Sequence, residues 1–142
     1  MLVLAGCELG PNSGRGFSLP EGDAERGKAV FLELACNQCH YVDDIKLLES
    51  HNADFKGLKL GGTVHSAKTY GDLITSIINP SHKISSRYKS ELVTNPDGTS
   101  MMMLYNDVMT VSQLVDLVTF LEQNYKLEPY NKTNYYTFGP IH

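Results

Sequence analysis

Tryptophan is absent from this 142-residue chain, cysteine occurs only three times, and no excess of positive charge is present, the formal net charge being −4. With 12 Lys and Arg against 16 Asp and Glu and no basic stripe, nucleic-acid binding has no electrostatic footing. Mild acidity of this kind selects partners with basic patches and tunes association rate more than affinity. No run approaches the roughly 20 apolar residues that a membrane-spanning helix needs. No second C-x-x-C is present, and His51, His65 and His82 are not paired at finger-like spacing, so a structural zinc site is not expected. Nor does any cluster of carboxylates or nucleophiles call for an enzyme acting on a small-molecule substrate.

Against these absences stands one dense motif, Cys36-Asn37-Gln38-Cys39-His40. It is a C-x-x-C-H run, the attachment signature of c-type haem. Two cysteines three positions apart in a helical turn project from the same side, so both sulfurs can reach the vinyl groups of one porphyrin edge. His40 is then placed to offer a nitrogen to the iron. The expected cofactor is one covalent haem c. A thioredoxin-type redox pair would open a helix behind an apolar strand, whereas these cysteines follow a helical pattern.

That pattern runs from Gly22 to Ala35. Gly27, Val30, Phe31 and Leu34 fall at i, i+3, i+4 and i+7, one apolar stripe. Asp23 is placed as N-cap with Glu25 in the first turn. Gly27 within the stripe costs about 1 kcal/mol against Ala, and on a buried face it implies close approach by another backbone. A partner helix lies near the C-terminus. Thr110-Val111-Ser112-Gln113 fits a capping box, with Met109 and Leu114 as a hydrophobic staple. Leu114, Leu117, Val118, Leu121 and Tyr125 form its stripe, with Phe120 on the shoulder. Between them, Tyr70 to Asn79 reads as a third helix with Leu73, Ile74, Ile77 and Ile78 buried, stopped by Pro80.

Across roughly residues 21 to 125 the chain resembles a class I c-type cytochrome of the monohaem, bacterial kind. Gly22 to Phe31 followed by Cys36 to His40 is similar to that family's opening helix and haem motif, and Leu117 to Leu121 to its closing helix. The resemblance implies an all-α fold, with crossed N- and C-terminal helices and a middle helix around one haem. It also implies a methionine as distal iron ligand, from the loop before the last helix. Met101, Met102 and Met103 lie there, after an Asn95-Pro96-Asp97-Gly98 turn. Aligning Tyr105 and Asp107 with the family's Met-Pro-x-Tyr-x-Asp pattern puts Met102 at the ligand position, with Met103 as the alternative. Met103 stands where proline is common. Met101 and Met109 are expected to fill core space, and a histidine ligand would be His82 or His65. Lacking the family's Trp near a haem propionate, this chain is expected to use a tyrosine such as Tyr70 or Tyr88. The family's Gly-Pro-x-Leu stretch is also missing, and Gly57 to Gly62 is expected to replace it as an irregular loop at the haem edge.

Haem attachment leaves Cys7 over. Leu4-Ala5-Gly6-Cys7 matches a bacterial lipoprotein signal box, although few apolar residues and no basic run precede it. Either the natural start lies upstream or the match is coincidental. The expected organisation is a residual signal segment at 1–6, a flexible tether at 7–20, a cytochrome c domain at 21–126 and a Tyr-rich extension at 127–142. A dozen extended tether residues reach roughly 40 Å. The functional expectation is a one-electron carrier between redox proteins in the periplasm-facing bacterial cell envelope, lipid-anchored to the membrane at Cys7. The alternatives are an electron-entry subunit of a larger oxidoreductase, or a haem-based sensor or enzyme with a labile distal ligand.

Overall fold

The computed structural model describes residues 19–48, 55–64 and 69–127. Asp23 starts the first helix: its carboxylate accepts the Arg26 N–H at 2.9 Å, and α1 runs Ala24–Glu33. Thr69 and Asp72 form a reciprocal capping box ahead of α2, Tyr70–Ile78, which ends at Asn79 because Pro80 cannot continue it. Thr110 and Gln113 form the second capping box, ahead of α3, Val111–Gln123. Met109 and Leu114, the expected staple pair, each pack against the core.

The helices α1 and α3 cross at Gly27. A Cβ at this position would fall inside the Asp116 carbonyl and 2.7 Å from the Phe120 Cβ, so only glycine lets the backbones approach. On the inner side of the crossing the Phe31 and Phe120 rings meet, centroids 5.9 Å apart and tilted by 58°. Phe31 and Val118 are the most deeply buried large side chains, at 1% and 0% exposure. Val30, Leu117 and Leu121 continue this core, and α2 adds Leu73, Ile74 and Ile77. Ile78, expected in the buried set, is 37% exposed, because it sits on the last turn where the stripe rotates outward.

On its outer side the crossing is closed by charge. Asp116 on α3 is buried, and the Arg26 guanidinium grips it through Nε at 2.7 Å and Nη2 at 3.0 Å. The Asp23 N–H donates to the same carboxylate at 2.7 Å. These donors hold the Asp116 carboxyl below its ordinary range, the Arg26 hydrogen bond contributing most and the Asp23 amide next.

The expected all-α, class I cytochrome c architecture is not what the chain adopts. Two short parallel strand pairs stand beside the three helices. β1, His40–Tyr41, pairs with β2, Leu58–Lys59. β3, Gly62–Val64, pairs with β4, Tyr125–Leu127. Gly57, Gly61 and Gly62 have positive φ and so supply the bends that bring residues 58–64 alongside both partners. Gly57 to Gly62 is therefore strand and turn rather than an irregular loop. Tyr125, expected at the end of the helical stripe, lies on β4 because Asn124 caps α3 one residue earlier. That strand also runs through the expected boundary at 126/127. Among the described residues no helix is long and apolar enough to cross a membrane.

Two predictions follow from the crossing. Gly27→Ala destabilises the fold by about 2–3 kcal/mol through overlap with backbone. Gly71→Ala, in the first turn of α2 with nothing closer than 3.9 Å, stabilises it by about 0.4–1 kcal/mol. Urea unfolding measures both, and equal effects at the two positions would refute the close approach. The second concerns pH. Because Asp116 has a depressed folded pKa, its contribution is complete above the unfolded value near ~3.9 and is lost as pH falls through the folded value. Asp116→Asn is thus less stable than the natural protein near neutrality, and the gap narrows steadily below about pH 4. A gap that stays constant down to about pH 2 would mean that the charge is irrelevant.

Candidate functional site

The pentapeptide is launched by the end of α1. Leu34 caps the helix and Ala35 adopts the left-handed conformation, φ 53°, which turns the chain sharply. A non-glycine residue there carries about 1–2 kcal/mol of strain. A 3₁₀ turn over Cys36–Gln38 follows, closed by the Cys39 N–H donating to the Cys36 carbonyl at 3.2 Å. In such a turn residues i and i+3 eclipse, so Cys36 and Cys39 share one side more closely than in an α-helix. Asn37 is buried, and its carbonyl accepts the Leu48 N–H at 2.8 Å.

Neither Cys36 nor Cys39 is in a disulfide; Cys36 is half-buried and Cys39 exposed. Burial pushes the Cys36 thiol up to about 11. A redox-active C-x-x-C needs the opposite shift, toward thiolate. Among the described residues no group of three or more His, Cys, Asp or Glu side chains converges on a point. A porphyrin supplies four equatorial nitrogens of its own, so haem iron asks the chain only for axial ligands.

His40 is the next residue, held by β1. The Leu58 N–H donates to the Cys39 carbonyl at 2.8 Å and the Leu60 N–H to the Tyr41 carbonyl at 2.9 Å, so β2 clamps both sides of the histidine. Burial lowers the imidazole pKa, an effect the Leu58 backbone opposes. Nδ1 is buried and has no partner in hydrogen-bonding geometry, so Leu58 is close without completing that bond. With Nδ1 enclosed by protein beside Leu58, the nitrogen left to meet a metal is Nε2. A metal-bound histidine donates from its other nitrogen, and the Leu58 backbone is the group beside it.

The methionine segment lies further along the chain. Gly98, φ 82°, closes the Asn95-Pro96-Asp97-Gly98 turn, and Thr94 and Ser100 bridge across it. Ser100 N–H donates to Ser81 Oγ at 3.1 Å, fixing this hairpin to the 3₁₀ turn Pro80–His82. Met101 and Met103 are 57% and 67% exposed, whereas Met102 between them is half-buried. Met101 is thus not the core filler expected, because its N–H is tied to Val93 and its side chain faces outward. Met109 does pack against the core. Beyond the methionines, the Tyr105 hydroxyl donates to the Leu34 carbonyl at 2.9 Å. Burial raises the Tyr105 pKa most, and the proximity of Cys36 and Cys39 raises it further. This loop and the cysteine turn are therefore neighbours.

Of the other expected residues, His82 is exposed, with Nδ1 2.8 Å from the Asn79 carbonyl. The Tyr88 hydroxyl accepts the Lys59 N–H at 3.1 Å on β2. Tyr70 instead lines a cavity of about 480 Å³ between the start of α1 and the second half of α3, which includes no residue of the pentapeptide. Cys7, His51, His65 and the extension from 128 onward lie outside the described residues. Leu34, Leu58 and Tyr105 were not singled out as site residues from the sequence; only Tyr105's place after the methionines hinted at its role.

The residues present fit a covalently held haem: two unpaired thiols on one side of a tight turn, a part-buried imidazole whose Nδ1 is enclosed without a partner, and a methionine segment tied through Tyr105 to the base of that turn. Met103, Leu104 and Val108 of that segment are exposed apolar surface of the kind a porphyrin face covers. No protein-family model matches the chain, and neither a curated protein nor a solved structure matches it.

Proposed function

We propose that the chain is a monohaem c-type electron carrier, similar in its site to the c-type cytochromes, and not an enzyme in its own right. The observation carrying this reading is the pentapeptide itself, with Cys36 and Cys39 on a 3₁₀ turn and His40 directly after it, its Nδ1 buried without a partner. When bound, haem c supplies a one-electron couple between ferric and ferrous iron.

The chain's own residues would do the following. Cys36 and Cys39 would hold the porphyrin by thioether bonds, which would prevent loss of the cofactor. His40, kept neutral by desolvation, would offer its imidazole to the iron. Met102, the half-buried member of its triplet, would supply the second protein ligand, and Met103 is the neighbour that could replace it. A thioether favours ferrous iron and raises the potential. With His40 and Met102 both on the iron, oxygen and peroxide would find no open position, which separates a carrier from a sensor. Redox proteins with basic docking faces are the partners that a chain of net charge −4 suits. Lipidation of Cys7 in a bacterial cell envelope would tether the carrier to the membrane.

One preparation tests these assignments: the full chain matured with haem in a periplasm. After acid and organic extraction the red colour stays with the polypeptide. Met102→Ala abolishes the methionine-to-iron charge-transfer band of the oxidised form, and mass spectrometry finds a diacylglycerol on Cys7. Pigment that leaves the chain refutes covalent attachment. Band loss on Met103→Ala alone moves the ligand by one residue, and an unmodified Cys7 removes the anchor.

A further inference from the structure

The segment carrying the methionines is a strap fastened at both ends. Before them, Ser100 is tied to Ser81 at 3.1 Å. After them, Asn106 donates to the Ile78 carbonyl at 2.9 Å and Tyr105 to the Leu34 carbonyl at 2.9 Å. Ser81 and Ile78 both belong to the end of α2 and the turn that follows it. Leu34 alone belongs to the other half of the site, as the residue before the strained Ala35 and the cysteine turn. The Tyr105 bond spans 71 residues of sequence to join the two halves.

Resting on the haem reading above, we propose that Tyr105 is a positioning residue: its hydroxyl fixes the methionine strap to the base of the cysteine turn and thereby sets how firmly the distal thioether is held. A thioether is a weak ligand that competes with any stronger base reaching the iron. Holding its segment in place lowers the entropy lost on ligation. Releasing the Leu34 carbonyl lets the strap lift while Ser81 and Ile78 still hold its other attachments. The ring of Tyr105 is half-buried beside Cys36 and Cys39, so phenylalanine preserves the packing and removes only the bond.

The test is imidazole titration of the oxidised, haem-loaded full chain, read by loss of the methionine-to-iron band. Tyr105→Phe is compared with the natural protein and with Thr110→Ala, which loses the α3 capping box and is destabilised without touching the strap. Tyr105→Phe is expected to bind imidazole about three- to tenfold more tightly, the worth of one hydrogen bond, while Thr110→Ala binds it as the natural protein does. Unchanged affinity in Tyr105→Phe, or an equal gain in Thr110→Ala, overturns the positioning role. A denatured natural chain that carries no haem stain overturns the haem reading and this role with it, whereas stain with unchanged imidazole affinity overturns this role alone.

Discussion

Where Gly27 passes the Asp116 carbonyl, two helices come closer than any pair of side chains would allow, and the geometry of both ends of the site descends from that approach. α1 ends in Leu34 and Ala35, so its angle against α3 decides where the cysteine turn starts and which way it faces. α3 begins after the methionine strap, so the same crossing decides where that strap must finish. Phe31 and Phe120 fix the crossing from within. Arg26 and Asp23 fix it from outside by converging on one carboxylate. No residue of this contact belongs to the site, yet the separation between the site's two halves depends on it.

The strand pairs modify this frame rather than decorate it. β2 follows His40 closely, and the amides of Leu58 on β2 and Leu60 just after it take the carbonyls on either side of that residue. A histidine at the end of a turn would otherwise be free to swing. β3 and β4 then bind the chain just after β2 to the chain just after α3. The structure therefore departs from an all-helical bundle at the places where the candidate ligand and the end of α3 need backbone support.

Much of this was legible in the sequence because it depends on neighbours along the chain. Asp23, Thr110 and the glycine at Gly27 announce caps and a crossing through fixed local offsets. The pentapeptide is contiguous, so the motif and its local turn can be looked for without knowing the fold. The strands could not be read this way. Each is two or three residues long, too short for alternation to show, and each exists only because a distant partner lies beside it. Tyr125 continued the helical period from Leu121, but Asn124 ended the helix and pairing with Gly62 claimed the tyrosine. The Arg26–Asp116 pair and the Tyr105–Leu34 bond link opposite ends of the chain, and nothing local marks either.

The grip on Asp116 also carries a consequence for the order of events during synthesis, since Asp23 meets its partner 93 residues further on. An emerging polypeptide presents α1 and the cysteine turn well before Val111–Gln123 exists. Until α3 is made, Phe31 lacks the Phe120 ring that it meets in the finished fold. Of the two thiols, Cys36 is the one that the finished fold half-buries, whereas Cys39 stays exposed, so early and late access differ at Cys36 alone.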